Sequence, residues 1–199
     1  LHNIIFLSTD SKFFVTIANG GARPKFKDGE YTFKDITKFI NSNAKSIDTV
    51  YYHQSGSYLI FDYKMRVDSA EIFDKNKNYK INNDDILIKL NYLDSLSPKV
   101  VWVGPFLESR QDFMRQIIKG KKNFKISNYN KEVFDKLDNT IHKMNTFINI
   151  DYVPFDSIYK ITNKHVFYEG CLFFRDQDHL SNCAEEIIGS YSDYFITTD

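Results

Sequence analysis

Asn3-Ile4-Ile5-Phe6-Leu7-Ser8-Thr9-Asp10-Ser11 is the stretch on which the fold turns. Its first five residues hold a short, unbroken apolar run from Ile4 to Leu7, the pattern of a strand covered on both faces. The four that follow are turn and N-cap residues, so the stretch predicts a strand that ends on a polar turn, with Ser11 at the junction to a helix over residues 13–18, stopped at Gly20-Gly21. Three more apolar runs read as buried strands: Thr49-Val50-Tyr51-Tyr52, Lys99-Val100-Val101-Trp102-Val103-Gly104 and Ile148-Asn149-Ile150-Asp151-Tyr152-Val153. Helical periodicity fills the intervals. Residues 32–43 put Phe33, Ile36, Phe39 and Ile40 on one face, with Thr32 three residues before Asp35 as a capping box. Residues 83–96 offer Ile86, Leu87, Leu90 and Leu93 behind an Asp-rich first turn, and residues 131–147 align Val133, Leu137, Ile141 and Met144. Strands alternating with helices predict right-handed crossovers and a mostly parallel sheet, which binds its ligands beyond the carboxyl ends of the strands.

The 199 residues contain no internal repeat, and the 4 Pro and 8 Gly are scattered, so a single domain over 1–199 is expected. Lys plus Arg and Asp plus Glu are both 26, which leaves no overall field to draw in nucleic acid or an anionic membrane. A partner has to be sought at a site. Lys119-Gly120-Lys121-Lys122 reads as solvated surface, with phosphate or anionic glycan as its functional alternative. No stretch reaches the roughly 20 apolar residues of a membrane span. The chain begins at Leu1 almost directly on its first apolar run, which sets the expectation of an excised piece with more chain upstream. Cys171 and Cys183 are read equally well as a disulfide or as two separate buried thiols. His2, His53, His142 and His165 share no metal-like spacing, so neither metal nor cofactor is expected.

Two segments concentrate reactive side chains: Thr9-Asp10-Ser11-Lys12 and Asp176-Gln177-Asp178-His179-Leu180-Ser181. A serine hydroxyl becomes a useful nucleophile when a base takes its proton and a third group fixes the tautomer of that base. Asp176 and His179, three residues apart in one turn, meet the second requirement locally, and Ser11 is the nucleophile they would serve. Asp178 reads as a solvated turn residue, with a second carboxylate that tunes His179 as the alternative, and Ser181 as the N-cap of a last helix.

The two segments resemble the blocks of the SGNH/GDSL hydrolase superfamily, in particular the periplasmic SGNH domain joined to bacterial acyltransferase family 3 membrane proteins. The family's Gly-Asp-Ser block is similar to Thr9-Asp10-Ser11, with Thr9 in place of Gly and Lys12 in place of a frequent His. Its final Asp-x-x-His block is similar to Asp176-Gln177-Asp178-His179-Leu180-Ser181, and Lys99 to Glu108, with Val-Val-Trp-Val-Gly-Pro, resembles its strand leading into a Pro-containing loop. Its Gly and Asn blocks have no counterpart here, although His53-Gln54-Ser55-Gly56-Ser57 stands where the Asn block is due. The resemblance implies a flavodoxin-like three-layer α/β/α sandwich. It also implies a Ser11-His179-Asp176 acyl-enzyme, with Lys12, Gln54 or Gly56 contributing to the oxyanion or substrate site. The implied activity is O-acyl transfer, chiefly O-acetyl transfer, from an acyl donor to a bacterial surface glycan. The domain would stand at the periplasmic face of the inner membrane, downstream of a membrane-spanning acyltransferase domain. The alternatives are a periplasmic or secreted carbohydrate esterase and a catalytically degraded fold that binds glycan.

Overall fold

The computed structural model describes residues 5–9, 12–19, 25–26, 29–30, 33–61, 79–121, 124–148, 150–168 and 170–191. For the first 36 residues only the course of strands and helix is described. One five-stranded sheet organises the chain, formed by β1 (Ile5–Thr9), β2 (Lys12–Asn19), β3 (Ile47–Gln54), β4 (Lys99–Val103) and β5 (Asp151–Val153), side by side in that order. Strands β2 to β5 are parallel; β1 lies antiparallel on β2 at the edge. The mixed α/β class and the mostly parallel sheet are as expected. The order of the described strands follows the chain, without the reversal that a flavodoxin-like order carries.

The start of the chain departs from expectation. Residues 12–19 form strand β2, not the helix predicted for 13–18, and Thr9 pairs with Lys12. Phe13, Phe14, Val15, Thr16 and Ile17 are aromatic or β-branched, the residues that pack best on a pleated surface, and that preference outweighs the N-cap signal of Ser8 to Ser11. The first apolar run is consequently an antiparallel edge strand, and β2 takes its place in the parallel series.

Helices α1 (Phe33–Ser42), α2 (Asn83–Asp94) and α4 (Asn128–Asn145) occupy the predicted intervals, with the short α3 (Phe113–Ile118) and α5 (Phe155–Ile158) and a final α6 (Asn182–Gly189). Helix α2 starts where Asn82 accepts a hydrogen bond from the Asp85 N–H, and it buries Ile86, Leu90 and Leu93 against α4, which buries Phe134, Leu137 and Ile141. Phe39 and Leu87, expected on buried faces, are exposed. The Thr32 capping box and the Gly20-Gly21 stop lie outside the described residues.

Strand β4 is buried from Val100 to Val103, so both faces of the sheet centre are covered. In register across three strands, Tyr52, Trp102 and Tyr152 form an aromatic row, with ring centroids 5.2 Å and 6.3 Å apart in edge-on contacts. Gly56, just past β3, is a glycine because a Cβ there would come within 2.6 Å of Phe134 Cε1 and 3.1 Å of Leu137 Cδ2. Among the described residues no helix is long and apolar enough to cross a membrane.

Candidate active site

The segment that holds Asp176 and His179 is closed by successive clamps. Phe173 and Phe174 are fully buried and anchor it in the core. Phe174 bridges Leu180 in antiparallel fashion, the Arg175 N–H donates to the His179 carbonyl at 3.0 Å, and the Ser181 N–H donates to the Phe173 carbonyl at 2.9 Å. Further out a disulfide joins Cys171 to Cys183, which decides between the two readings left open by sequence. Ser181 caps α6 as expected, its Oγ accepting from the Ala184 N–H at 3.3 Å.

Within this loop the Asp176 carboxylate organises its own turn. Its Oδ1 accepts from the N–H groups of Asp178 at 3.2 Å and His179 at 2.8 Å, a local bond pattern that Asp forms readily. The same carboxylate meets His179 Nδ1 at 2.9 Å from each oxygen. With Nδ1–H donating to Asp176, the Nε2 atom of the ring is left as an acceptor, the tautomer that a general base requires. Burial raises the Asp176 carboxyl, but the two backbone N–H groups and the His179 ring outweigh it and hold the group below the usual carboxylate range. Asp178 is pushed the other way: burial and the neighbouring Asp176 raise it, against His179, whose Nδ1 is 3.2 Å from its Oδ1.

The loop rests on a buried polar cluster that sequence reading missed. After β4 the chain runs through Gly104 to Asp112, and the Ser109 Oγ–H and Arg110 N–H reach the Gln177 carbonyl at 3.2 Å and 2.7 Å. Glu108 is fully buried, and its carboxylate accepts from Ser55 Oγ at 2.7 Å, from the Ser57 N–H at 3.1 Å and from Arg110 Nη1 at 3.2 Å. Burial raises the Glu108 carboxyl above its ordinary value although Arg110, Ser55 and Ser57 oppose it. Arg110 is itself buried, lies 4.0 Å from Asp178 and adopts a φ of 53°, which non-glycine residues rarely take. The Asn130 side chain on α4 donates to the Glu108 carbonyl. The available signal was two opposite charges two residues apart just beyond the carboxyl end of a buried strand, where such sheets build their sites.

Asp176, Asp178 and His179 bring one donor atom each within 4.8 Å, a set able to hold a cation. Both oxygens of Asp176 are, however, already directed at His179, which is the arrangement that orients an imidazole.

The remaining sequence candidates fall elsewhere. Ser11 lies outside the described residues. Its described neighbours Thr9 and Lys12 stand at the amino ends of β2 and β3, since Phe13 pairs with Ile47, whereas Glu108 and the dyad loop gather beyond the carboxyl ends of β3 and β4. The eight residues of β3 separate these two edges by roughly 23 Å. Of Lys12 only its place in β2 is described. Gln54 is fully buried, accepts from Tyr52 Oη at 3.0 Å and donates to the Ser55 carbonyl at 3.4 Å, so its amide braces the loop and does not face a ligand. Gly56 is likewise buried by close packing. Among the described residues no side-chain hydroxyl is bonded to His179 Nε2.

No protein-family model matches the chain, and neither does any curated protein.

Proposed function

We propose that this chain is an SGNH-type acyl-handling domain. Asp176 orients His179, His179 takes the proton of a nucleophilic serine, and the acyl group captured on that serine passes to a sugar hydroxyl. The observation that carries the reading is the Asp176–His179 pair, bonded through Nδ1 and exposed at the edge where the parallel strands end. Ser11 is the nucleophile of this proposal. The finer fold, a flavodoxin-like three-layer sandwich, belongs to it as well; the proposal requires Ser11 at that edge, whereas its described neighbours Thr9 and Lys12 pair at the opposite one.

The acyl acceptor is a carbohydrate, and the reaction is O-acyl transfer, chiefly of acetyl. The donor side is a membrane-embedded acyltransferase domain upstream, which delivers the acyl group to the periplasmic face. The Cys171–Cys183 disulfide supports an oxidising compartment of that kind. Transfer and hydrolysis share the acyl-enzyme and differ in whether a sugar or water attacks it.

A second reading, a glycan-binding domain without catalysis, is favoured by the Thr9–Lys12 pairing at the opposite edge of the sheet. Labelling with a fluorophosphonate separates the two. The catalytic reading predicts that native protein labels, that Ser11→Ala abolishes labelling and that His179→Ala slows it severely. Equal labelling of Ser11→Ala removes Ser11 from the site, and a native protein that resists labelling while it retains an oligosaccharide establishes the binding reading. For labelled protein, an acyl donor offered with an oligosaccharide gives acylated sugar; release of free acid alone makes it an esterase.

A further inference from the structure

The described surface carries an apolar stripe on α3 that faces outward. Met114, Ile117 and Ile118 stand at positions i, i+3 and i+4, hence on one face, and are 48%, 38% and 79% exposed. The helix is anchored at its first residue: Phe113, on the flank of the stripe, is fully buried and in contact with Phe124 and Phe174. Asp112 fixes the start of the helix by accepting from the Arg115 N–H at 2.8 Å. At its end the Gly120 N–H donates to the Ile117 carbonyl and the Lys121 N–H to that of Gln116, the Schellman arrangement, with Gly120 in the left-handed region at a φ of 75°. The stripe is therefore presented by a rigid, capped turn.

The charge along the chain after its Asp112 cap is one-sided. From Phe113 to Lys131 the sequence has no Asp or Glu, although acids and bases balance over the whole chain. Arg115, Lys119, Lys121 and Lys125, in the same stretch of chain, are exposed. An apolar stripe of three residues with cations in the same stretch of chain matches the headgroup boundary of an anionic bilayer, which takes up apolar side chains and attracts Lys and Arg together. A helix of six residues offers too little area for a specific protein interface, which buries about 800 Å² per partner; a fluid bilayer needs no matching shape.

We infer that α3 and the basic turn after it form a peripheral docking surface for an anionic phospholipid bilayer. Met114, Ile117 and Ile118 enter the headgroup boundary, and Arg115, Lys119, Lys121 and Lys125 meet the lipid charges. The surface is tied to the dyad loop, because Gln111 donates to the Lys125 carbonyl at 2.9 Å while its neighbour Arg110 holds Gln177. Docking therefore brings the Asp176–His179 edge near the membrane plane.

Co-sedimentation with vesicles tests this inference and does not depend on catalysis. The native chain is expected to pellet with phosphatidylcholine vesicles containing phosphatidylglycerol, less so as salt rises, and to stay in solution with pure phosphatidylcholine. Ile117→Asp with Ile118→Asp is expected to abolish the binding, and each of Lys119→Gln and Lys121→Gln to weaken it about fivefold. These positions are exposed, and an unchanged circular dichroism melt confirms the variants' fold. Failure to pellet with anionic vesicles, equal pelleting with neutral ones, or binding that survives the isoleucine pair while soluble dextran sulfate competes it away overturns the inference; the last result makes the turn a polyanion site.

Discussion

The acid–base pair and the buried ion pair beneath it differ in what they contribute. Asp176 and His179 are about half exposed, so their attraction is screened and their value lies in geometry. Replacing Asp176 by Asn keeps the shape of the turn but puts an N–H donor in place of one carboxylate oxygen, so the side chain no longer selects the Nδ1–H tautomer. Under the catalytic reading, Asp176→Asn should lower acyl-transfer activity by roughly three to four orders of magnitude while the chain still folds. Glu108 and Arg110 are both buried, and removing one strands the charge of the other. Glu108→Ala should cost about 3–5 kcal/mol in urea unfolding. Combining it with Arg110→Met should cost clearly less than the sum of the single changes, because the second substitution removes the stranded charge. A double variant whose loss equals the sum would show that the two side chains do not act as a pair.

At the scale of elements, what was legible depended on how unambiguous the burial pattern is. Val100 to Val103 is apolar on both faces and can only be a central strand, and the 3.6-residue periods of α2 and α4 are long enough to be decisive. The β1–β2 hairpin was misread because two β-favouring runs separated by two polar residues look, over one short window, like a strand followed by an N-cap. The Asp176–His179 contact was legible since it is local, three residues apart. Its support by Ser109 and Arg110 spans more than 60 residues and has no local signature. The Cys171–Cys183 closure belongs to this scale too: it ties the loop to the first turn of α6 across 12 residues. Replacing both cysteines by Ser should destabilise the chain by about 2–4 kcal/mol, read as a lower melting temperature that reductant no longer changes.

Across the whole molecule the carboxylates titrate in opposite senses. Glu108, Asp138, Asp156 and Asp178 are raised, each chiefly by burial, so the folded state holds their protons more tightly than the unfolded chain does. Their contribution to stability is greatest below the unfolded carboxylate value and falls as pH rises through the raised ones. Asp176 is lowered, and its contribution is present above the unfolded value and lost as pH falls through the lowered one. Melting temperature should accordingly hold or rise on mild acidification and drop at lower pH. Asp176→Asn should remove part of that lower limb and leave the upper one in place. A monotonic fall from neutral pH downward would contradict the raised group.

The N–H groups of Asp178 and His179 that point at the Asp176 carboxylate have a spectroscopic consequence. Hydrogen bonds to an ionised carboxylate are short and strongly polarised, and both weaken when the group takes a proton. The two amide resonances are thus built-in reporters of one carboxyl group: both should lie downfield at neutral pH and move upfield together, with a shared midpoint below the ordinary aspartate range.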